Sequence, residues 1–125
     1  MLYKEITEKI IAAAMQVHST LGNGFQEIIY QRAMAIELSN YELPFEMEKE
    51  MEIIYRGERI GARRVDIMVS GKIMVELKAV INLDDVHLAQ AMNYLEAYNV
   101  EVGLLINFGS KSLQFKRVHN NRLLQ

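Results

Sequence analysis

The spacing of hydrophobic positions at the start of the chain predicts two helices. Apolar side chains recur every three or four positions, which is the period of an α-helix with one buried face. The segment Gly22-Asn23-Gly24 follows, and glycine readily adopts the left-handed backbone that ends a helix. We therefore predict helices over 3–21 and about 25–38, with Glu27 in the first turn of the second helix.

The period of the pattern then changes to two. From Phe45 to Tyr55 apolar side chains alternate with glutamates, which is typical of a strand with one wet face. Glycine-containing turns at Arg56-Gly57 and Ser70-Gly71 separate this segment from two further apolar segments. The pattern predicts an antiparallel meander of three strands over 45–55, 59–69 and 72–80.

The rest of the chain predicts a third helix over 83–98 and two strands over 100–108 and 113–118. The order α-α-β-β-β-α-β-β is that of the α/β class, with an α+β mixed sheet. A helix between the third and fourth strands makes those strands parallel neighbours through a right-handed crossover. At 125 residues we expect one domain over 1–125.

Composition and charge narrow the function classes. The chain has no cysteine, which excludes disulfides and thiolate metal sites, and its apolar runs are too short to cross a membrane. We therefore expect a cytoplasmic protein without a membrane partner. The net charge of −2 does not indicate a nucleic-acid binder, but the chain after residue 101 carries bases and no acid. This basic tail is either a phosphate-facing edge or a solvated tail, and its members are Lys111, Lys116, Arg117 and Arg122.

Three charged residues lie in apolar segments, where a charge needs a partner. Glu76 and Lys78 are two residues apart on the third predicted strand and therefore share one of its faces. Asp66 lies in the preceding strand, and a favourable antiparallel register places it beside Glu76. Two such carboxylates repel each other unless a proton or a cation is shared. The pattern indicates either a buried ion pair with Lys78 or a site for Mg²⁺, which prefers oxygen ligands.

Several motifs in this chain resemble those of known families. The spacing Asp66-x9-Glu76-x-Lys78 resembles the core signature of the PD-(D/E)XK nuclease superfamily, and Gln90 with Tyr94 resembles the Gln-x-x-x-Tyr motif of its RecB-like branch. The segment 24–30 is similar to the Gly-x-x-Glu-x-x-Tyr motif of the GxxExxY protein family, which is placed in the same superfamily. The position before Asp66 is Val65, so the proline of the superfamily's name is absent.

The resemblance implies a restriction-endonuclease-like fold and a role for each matching residue. Asp66 and Glu76 would bind Mg²⁺ or Mn²⁺, and Lys78 would serve the nucleophile. The supplementary roles are distributed over five more residues. Glu27 would be a catalytic acid that also completes the metal site, Gln90 and Tyr94 would brace the site or contact substrate, Tyr30 would pack near Glu27, and Arg117 would support the site or the substrate.

The leading hypothesis for function is a metal-dependent nuclease that hydrolyses phosphodiester bonds, with DNA favoured over RNA. The first alternative is a catalytically silent module of the same fold that binds nucleic acid or a protein partner. A second alternative is an assembly protein that oligomerises through a sheet edge or the first helix. A homodimer is also an expectation of the nuclease hypothesis, because small enzymes that cut duplexes often use two sites.

Overall fold

The computed structural model describes residues 2–122, and it contains eight elements in the predicted order. This observation confirms the predicted class, a mixed α+β arrangement. Every predicted bound lies within two residues of the observed one. The elements are α1 Lys4–Leu21, α2 Glu27–Asn40, β1 Phe45–Tyr55, β2 Glu58–Val69, β3 Ile73–Lys78, α3 Asp85–Tyr98, β4 Val102–Asn107 and β5 Gln114–His119.

The five strands form one sheet in the order β1-β2-β3-β4-β5. The first three strands pair antiparallel, β3 pairs parallel with β4, and β5 returns antiparallel to β4. The parallel pair follows from α3, because a helix between two strands carries the chain back to the same end of the sheet.

Two apolar cores lie on opposite faces of the sheet. The larger core joins α1 and α2 to the residues of β3 that point toward them, namely Ile73, Val75 and Leu77. The smaller core joins Ala91 and Leu95 of α3 to the other face. The alternation of β3 therefore places Glu76 and Lys78 on the face that α3 covers.

Part-way along β1 and β2, the alternation of side chains shifts by one position, so that side chains that would share a face in a regular strand lie on opposite faces of the sheet. Met47 packs against the α1/α2 core, whereas Met51, four residues later, packs against the α3 core. Glu48 between them has a φ of 52°, and this left-handed backbone breaks the regular alternation. On β2 the same change separates Val65 in the α3 core from Ile67 in the α1/α2 core.

Within residues 2–122, every helix is too short or too polar to span a bilayer.

Candidate active site

Asp66 lies where β2 changes the face of its side chains. The ladder between β2 and β3 ends with the pair Ile67 and Val75, and the same register extended by one position sets Asp66 opposite Glu76. Instead of continuing the ladder, the Asp66 carboxylate accepts a hydrogen bond at Oδ2 from the backbone N of Leu77, at 2.7 Å. A carboxylate held by a backbone N–H has a fixed position beside Glu76.

Glu76 is buried, with 3% of its surface exposed, and its carboxylate is paired with Arg63. The Arg63 guanidinium donates from Nη1 to Oε1 at 3.2 Å and from Nη2 to Oε2 at 3.1 Å. This two-point geometry matches a planar guanidinium to a planar carboxylate and uses both oxygens of Glu76. A buried carboxylate without such a partner would be strongly unfavourable.

Burial and the neighbouring Asp66 charge raise the pKa of Glu76 to about 7, above its ordinary value of 4.5. Arg63 and Lys78 act in the opposite direction, but they do not offset the loss of water around the carboxylate. Two carboxylates in one poorly hydrated place disfavour a second negative charge. Additional positive charge at this point would therefore stabilise the ionised form of Glu76.

Tyr94 of α3 supports Arg63 from the other side. The guanidinium carbon of Arg63 lies 4.0 Å from the centre of the Tyr94 ring, a distance typical of a cation–π contact. Helix α3 is fixed at its start by Asp84, whose side chain accepts from the backbone N of Val86 and of His87. Tyr94 thus connects the carboxylate pair on the sheet to the helix that covers it.

A shallow recess lies beside the carboxylates, between β3 and α3. Glu76, Lys78, Gln90 and Tyr94 line it together with His87. The structure therefore brings together four of the residues that the sequence predicted for the site. The imidazole of His87 is engaged at the helix start, where its Nδ1 accepts from the backbone N of Asp84 at 3.1 Å.

Glu27 lies at the first position of α2 and is exposed. One turn later Gln31 donates to the backbone O of Asp66 at 2.9 Å, so this part of α2 runs close to Asp66. Glu27 does not join Asp66 and Glu76 in a cluster of three carboxylates. The Glu27 side chain faces solvent at the start of the helix. It lies one turn before Gln31, the residue through which α2 contacts β2.

Tyr30 is fully buried on the α1/α2 face of the sheet. Its hydroxyl donates to the backbone O of Gly22 at 2.6 Å and accepts from the backbone N of Phe25 at 3.1 Å. Its ring stacks on Phe108 with 4.6 Å between centres. Tyr30 therefore ties the turn before α2 to the core and does not line the recess.

Arg117 lies away from the candidate site, which corrects its prediction as a supporting residue. It pairs with Leu104 across β5 and β4, and its guanidinium donates to Thr7 Oγ1 and to the backbone O of Leu2. Leu104 belongs to the α1/α2 core, whereas Glu76 faces α3, so the sheet separates Arg117 from the carboxylates. The basic character of the C-terminal segment did not show which face this side chain takes.

Two residues that the sequence did not single out for the site hold the segment after Lys78. Asn107 is buried at the end of β4, accepts from the backbone N of Val80 and donates to its backbone O, both at 2.9 Å. Gly109 packs so closely that a Cβ there would lie 2.4 Å from Val80 N. In the sequence, Asn107 is a polar residue in an apolar run.

The carboxylates fit a divalent cation on one condition. No three His, Asp or Glu side chains gather into a metal-binding group within residues 2–122. Asp66 uses Oδ2 for Leu77, and its Oδ1 has no hydrogen-bond partner in that part of the chain. Oxygen from two carboxylates, completed by water and phosphate, is a normal Mg²⁺ environment. The condition is that Arg63 gives up at least one oxygen of Glu76.

The model of the PD-(D/E)XK nuclease superfamily matches residues 4–118. The chain belongs to this superfamily. It is also similar to the crystal structure of SSO0001, with a TM-score of 0.56 and 19% sequence identity. That match covers 94% of this chain and 59% of SSO0001, and at such identity it supports the fold alone. No curated protein matches the chain significantly.

Membership in the PD-(D/E)XK superfamily confirms the resemblance that the motif around Asp66, Glu76 and Lys78 suggested. It also confirms a fold of the restriction-endonuclease type, with three helices and a five-stranded mixed sheet. The superfamily is named for nucleases. Its members generally use divalent metals, and the two carboxylates described above are the residues of this chain that suit one.

Proposed function

We propose that this protein is a metal-dependent nuclease that hydrolyses phosphodiester bonds in nucleic acid, with DNA favoured over RNA. The observation that carries the proposal is that the Asp66 carboxylate, held by the backbone N of Leu77, lies next to Glu76, with Lys78 on the same face of β3 as Glu76. Charged side chains in such an apolar environment lower the stability of the fold unless they pair with or bind an oppositely charged group. A phosphodiester and a divalent cation supply complementary charges for all three.

Asp66 and Glu76 would hold Mg²⁺ or Mn²⁺, using the free Oδ1 of Asp66 and an oxygen of Glu76 released from Arg63. When bound, the cation supplies Lewis acidity and lowers the pKa of a coordinated water. Glu27 is proposed as a further acid that approaches through water, because its helix contacts the backbone of Asp66 through Gln31.

Lys78 would position the attacking water or balance charge that develops on the phosphate. It is half-buried, and it lines the recess with Glu76 and Gln90. An ammonium in a partly dry recess acts as a strong point charge. Gln90 is exposed at the rim of the recess and is proposed to contact the substrate, whereas Tyr94 braces Arg63.

We also propose the GxxExxY family as the branch to which the chain belongs, on the motif Gly24 to Tyr30. Glu27 and Tyr30 have separate tasks in this proposal. Glu27 faces solvent at the start of α2, while the buried Tyr30 fixes the turn that precedes it.

The test is cleavage of labelled single-stranded and double-stranded DNA and RNA in the presence of Mg²⁺ or Mn²⁺. We expect DNA cleavage that disappears on chelation and in Lys78→Met, because the ammonium is lost while the length of the side chain is kept. Lys72→Met is the matched control, since Lys72 is an exposed lysine just before β3. Equal cleavage by wild type and Lys78→Met would remove Lys78 from the mechanism.

One observation favours the alternative of a catalytically silent binding module. Arg63 already satisfies both oxygens of Glu76, so the carboxylate is paired without any metal. Such a module would keep its nucleic-acid or protein partner after chelation and in Glu76→Gln. A nuclease loses cleavage under both conditions, so the two functions are separated by the same pair of experiments.

A further inference from the structure

Arg63 and a divalent cation require the same atoms. The two terminal guanidinium nitrogens of Arg63, Nη1 and Nη2, each lie within 3.2 Å of one Glu76 oxygen, and 3% of the Glu76 surface is exposed with Arg63 in place. A carboxylate that accepts two hydrogen bonds from a guanidinium has few lone pairs left for a metal. Two positive charges at that distance also repel each other strongly in a poorly hydrated site.

The Arg63 side chain has access to solvent when it leaves Glu76. Its side chain keeps 27% of its surface exposed, whereas that of Glu76 keeps 4%, so the guanidinium has a path to solvent and the carboxylate has none. The Tyr94 ring under the guanidinium contributes an attraction that does not depend on Glu76. Arg63 can therefore move away from the carboxylate and remain beside the recess.

We propose that Arg63 is an internal counter-ion that occupies Glu76 in the metal-free protein and is displaced when a divalent cation binds. This inference rests on the proposed function, because it takes Glu76 as a metal ligand. The released guanidinium stays next to the recess lined by Lys78 and Gln90, where it contacts a phosphate of the substrate. Arg suits this second task, since its planar fork binds phosphate oxygens in pairs.

The exchange of Arg63 for a cation keeps Glu76 paired with a positive charge in both states. Without metal, Arg63 neutralises a buried carboxylate that lies against a second carboxylate, and the fold avoids an unpaired buried charge. With metal, the same arginine becomes available for the substrate. Metal binding and phosphate binding are thereby coupled through one side chain, because the arginine is free for phosphate only after the metal has taken its place.

The experiment is a calorimetric titration of Mn²⁺ into wild type and Arg63→Gln at about pH 8, with inorganic phosphate absent and then present. Without its competitor, Glu76 is open to the cation. We expect Arg63→Gln to bind Mn²⁺ about ten-fold more tightly than wild type, the scale of a hydrogen bond to a charged group. Phosphate should increase the Mn²⁺ affinity of wild type and have a smaller effect on Arg63→Gln.

Arg64→Gln is the matched control, because it removes the same charge from the next residue, whose side chain is 71% exposed and pairs with Glu48. It should leave the Mn²⁺ affinity within about two-fold of wild type, since exposed charges are screened. Arg63→Lys is a second variant in case the glutamine variant unfolds. It keeps the charge but loses the two-point contact, and we expect an affinity between those of wild type and Arg63→Gln.

Equal or weaker Mn²⁺ binding by Arg63→Gln would overturn the exchange and leave the metal site itself standing. An equal gain in Arg64→Gln would also overturn it, because the effect would then be long-range charge rather than competition for Glu76. If neither wild type nor Arg63→Gln binds Mn²⁺ with phosphate present, the metal site of the proposed function fails together with the inference.

Discussion

The two faces of the central strand β3 differ in kind although they alternate along six residues. Ile73, Val75 and Leu77 face α1 and α2, and all three lie in the larger apolar core. Glu76 and Lys78 face α3, where they meet Arg63 and Tyr94. One face therefore stabilises the fold by burial of apolar surface, and the other places charges where burial disfavours them.

Apolar burial and buried charge are thus confined to opposite faces of this small sheet. The α1/α2 face contains a tightly stacked Tyr30 and Phe108 and no Asp, Glu or Lys among the buried residues that the structure describes. The burial of apolar surface on this face stabilises the fold enough to offset the unfavourable burial of Glu76 on the other face. If this division is correct, substitutions on the two faces will change different properties of the protein.

The largest effect is expected on cleavage, from a substitution on the α3 face. Asp66→Asn removes a proposed metal ligand, while its amide oxygen still accepts the hydrogen bond from Leu77 N. Cleavage should fall by about a thousand-fold or more, the scale of a lost metal contribution of several kcal/mol. Rates measured under single-turnover conditions test this, and Asp85→Asn, an exposed acid in the first turn of α3, is the control.

Cleavage by Asp66→Asn within about ten-fold of wild type would contradict the division between the two faces, because the α3 face would then have no catalytic role. The melting temperatures of the two variants show whether the loss comes from unfolding. We expect them to agree with wild type.

The next effect is on stability, from the α1/α2 face. Leu77→Ala removes a fully buried side chain, and such truncations cost about 2–5 kcal/mol of the free energy of unfolding. Urea denaturation measures this change. The neighbouring variant Lys78→Met should unfold within about 1 kcal/mol of wild type, because Lys78 is only half-buried. Similar losses in the two variants would show that the faces do not differ as described.

A third effect concerns the pH dependence of stability and comes from Glu76. Its pKa is about 7 in the folded protein and near 4.5 when unfolded, so the folded state holds the proton more tightly between these values. Stability from this group is fully present below about pH 4.5 and is lost as pH rises through 7. The whole change is about 3 kcal/mol, at 1.36 kcal/mol per pKa unit.

Glu76→Gln should therefore gain stability relative to wild type as the pH rises from about 5 to 8. Urea denaturation of both proteins at several pH values measures the difference. Glu37→Gln, which removes an acid of α2 outside the carboxylate pair, is the control. A constant difference between Glu76→Gln and wild type would mean that Glu76 ionises without cost.

The smallest effect sharpens the description of the α1/α2 face. Tyr30→Phe keeps the stacking on Phe108 and removes only the hydroxyl that links Gly22 and Phe25. We expect a loss of about 1–2 kcal/mol in the free energy of unfolding, at about 1 kcal/mol for each of the two hydrogen bonds lost. Cleavage should change less than three-fold, since Tyr30 does not line the recess. A strong loss of cleavage with unchanged stability would contradict this role.

The sequence predicted the order of all eight elements because each has a clear hydrophobic period and is bounded by turn residues. It also predicted the facing of Glu76 and Lys78, which follows from the period of two in a regular strand. The position of Asp66 opposite Glu76 depended on the register, and the short turn at Ser70-Gly71 left little freedom in it.

The sequence did not indicate Arg63, because the prediction assumed a regular strand. In a regular strand the side chains of Arg63 and Asp66 would point to opposite faces of the sheet. Arg63 would then be placed on the face opposite to Glu76. The change of face on β2, matched by the left-handed backbone of Glu48 on β1, depends on contacts distant in sequence. Arg117 was misplaced for a similar reason, since its facing depends on the pairing of β5 with β4.

The proposed metal site is tested most directly by a calorimetric titration of Mn²⁺ into wild type and Asp66→Asn, with a non-cleavable phosphodiester present. We expect a saturable site in wild type that is lost or weakened at least ten-fold in Asp66→Asn and unchanged in Asp85→Asn. Equal Mn²⁺ affinity in wild type and Asp66→Asn would contradict it, and so would a wild type that binds no Mn²⁺ even with the phosphodiester.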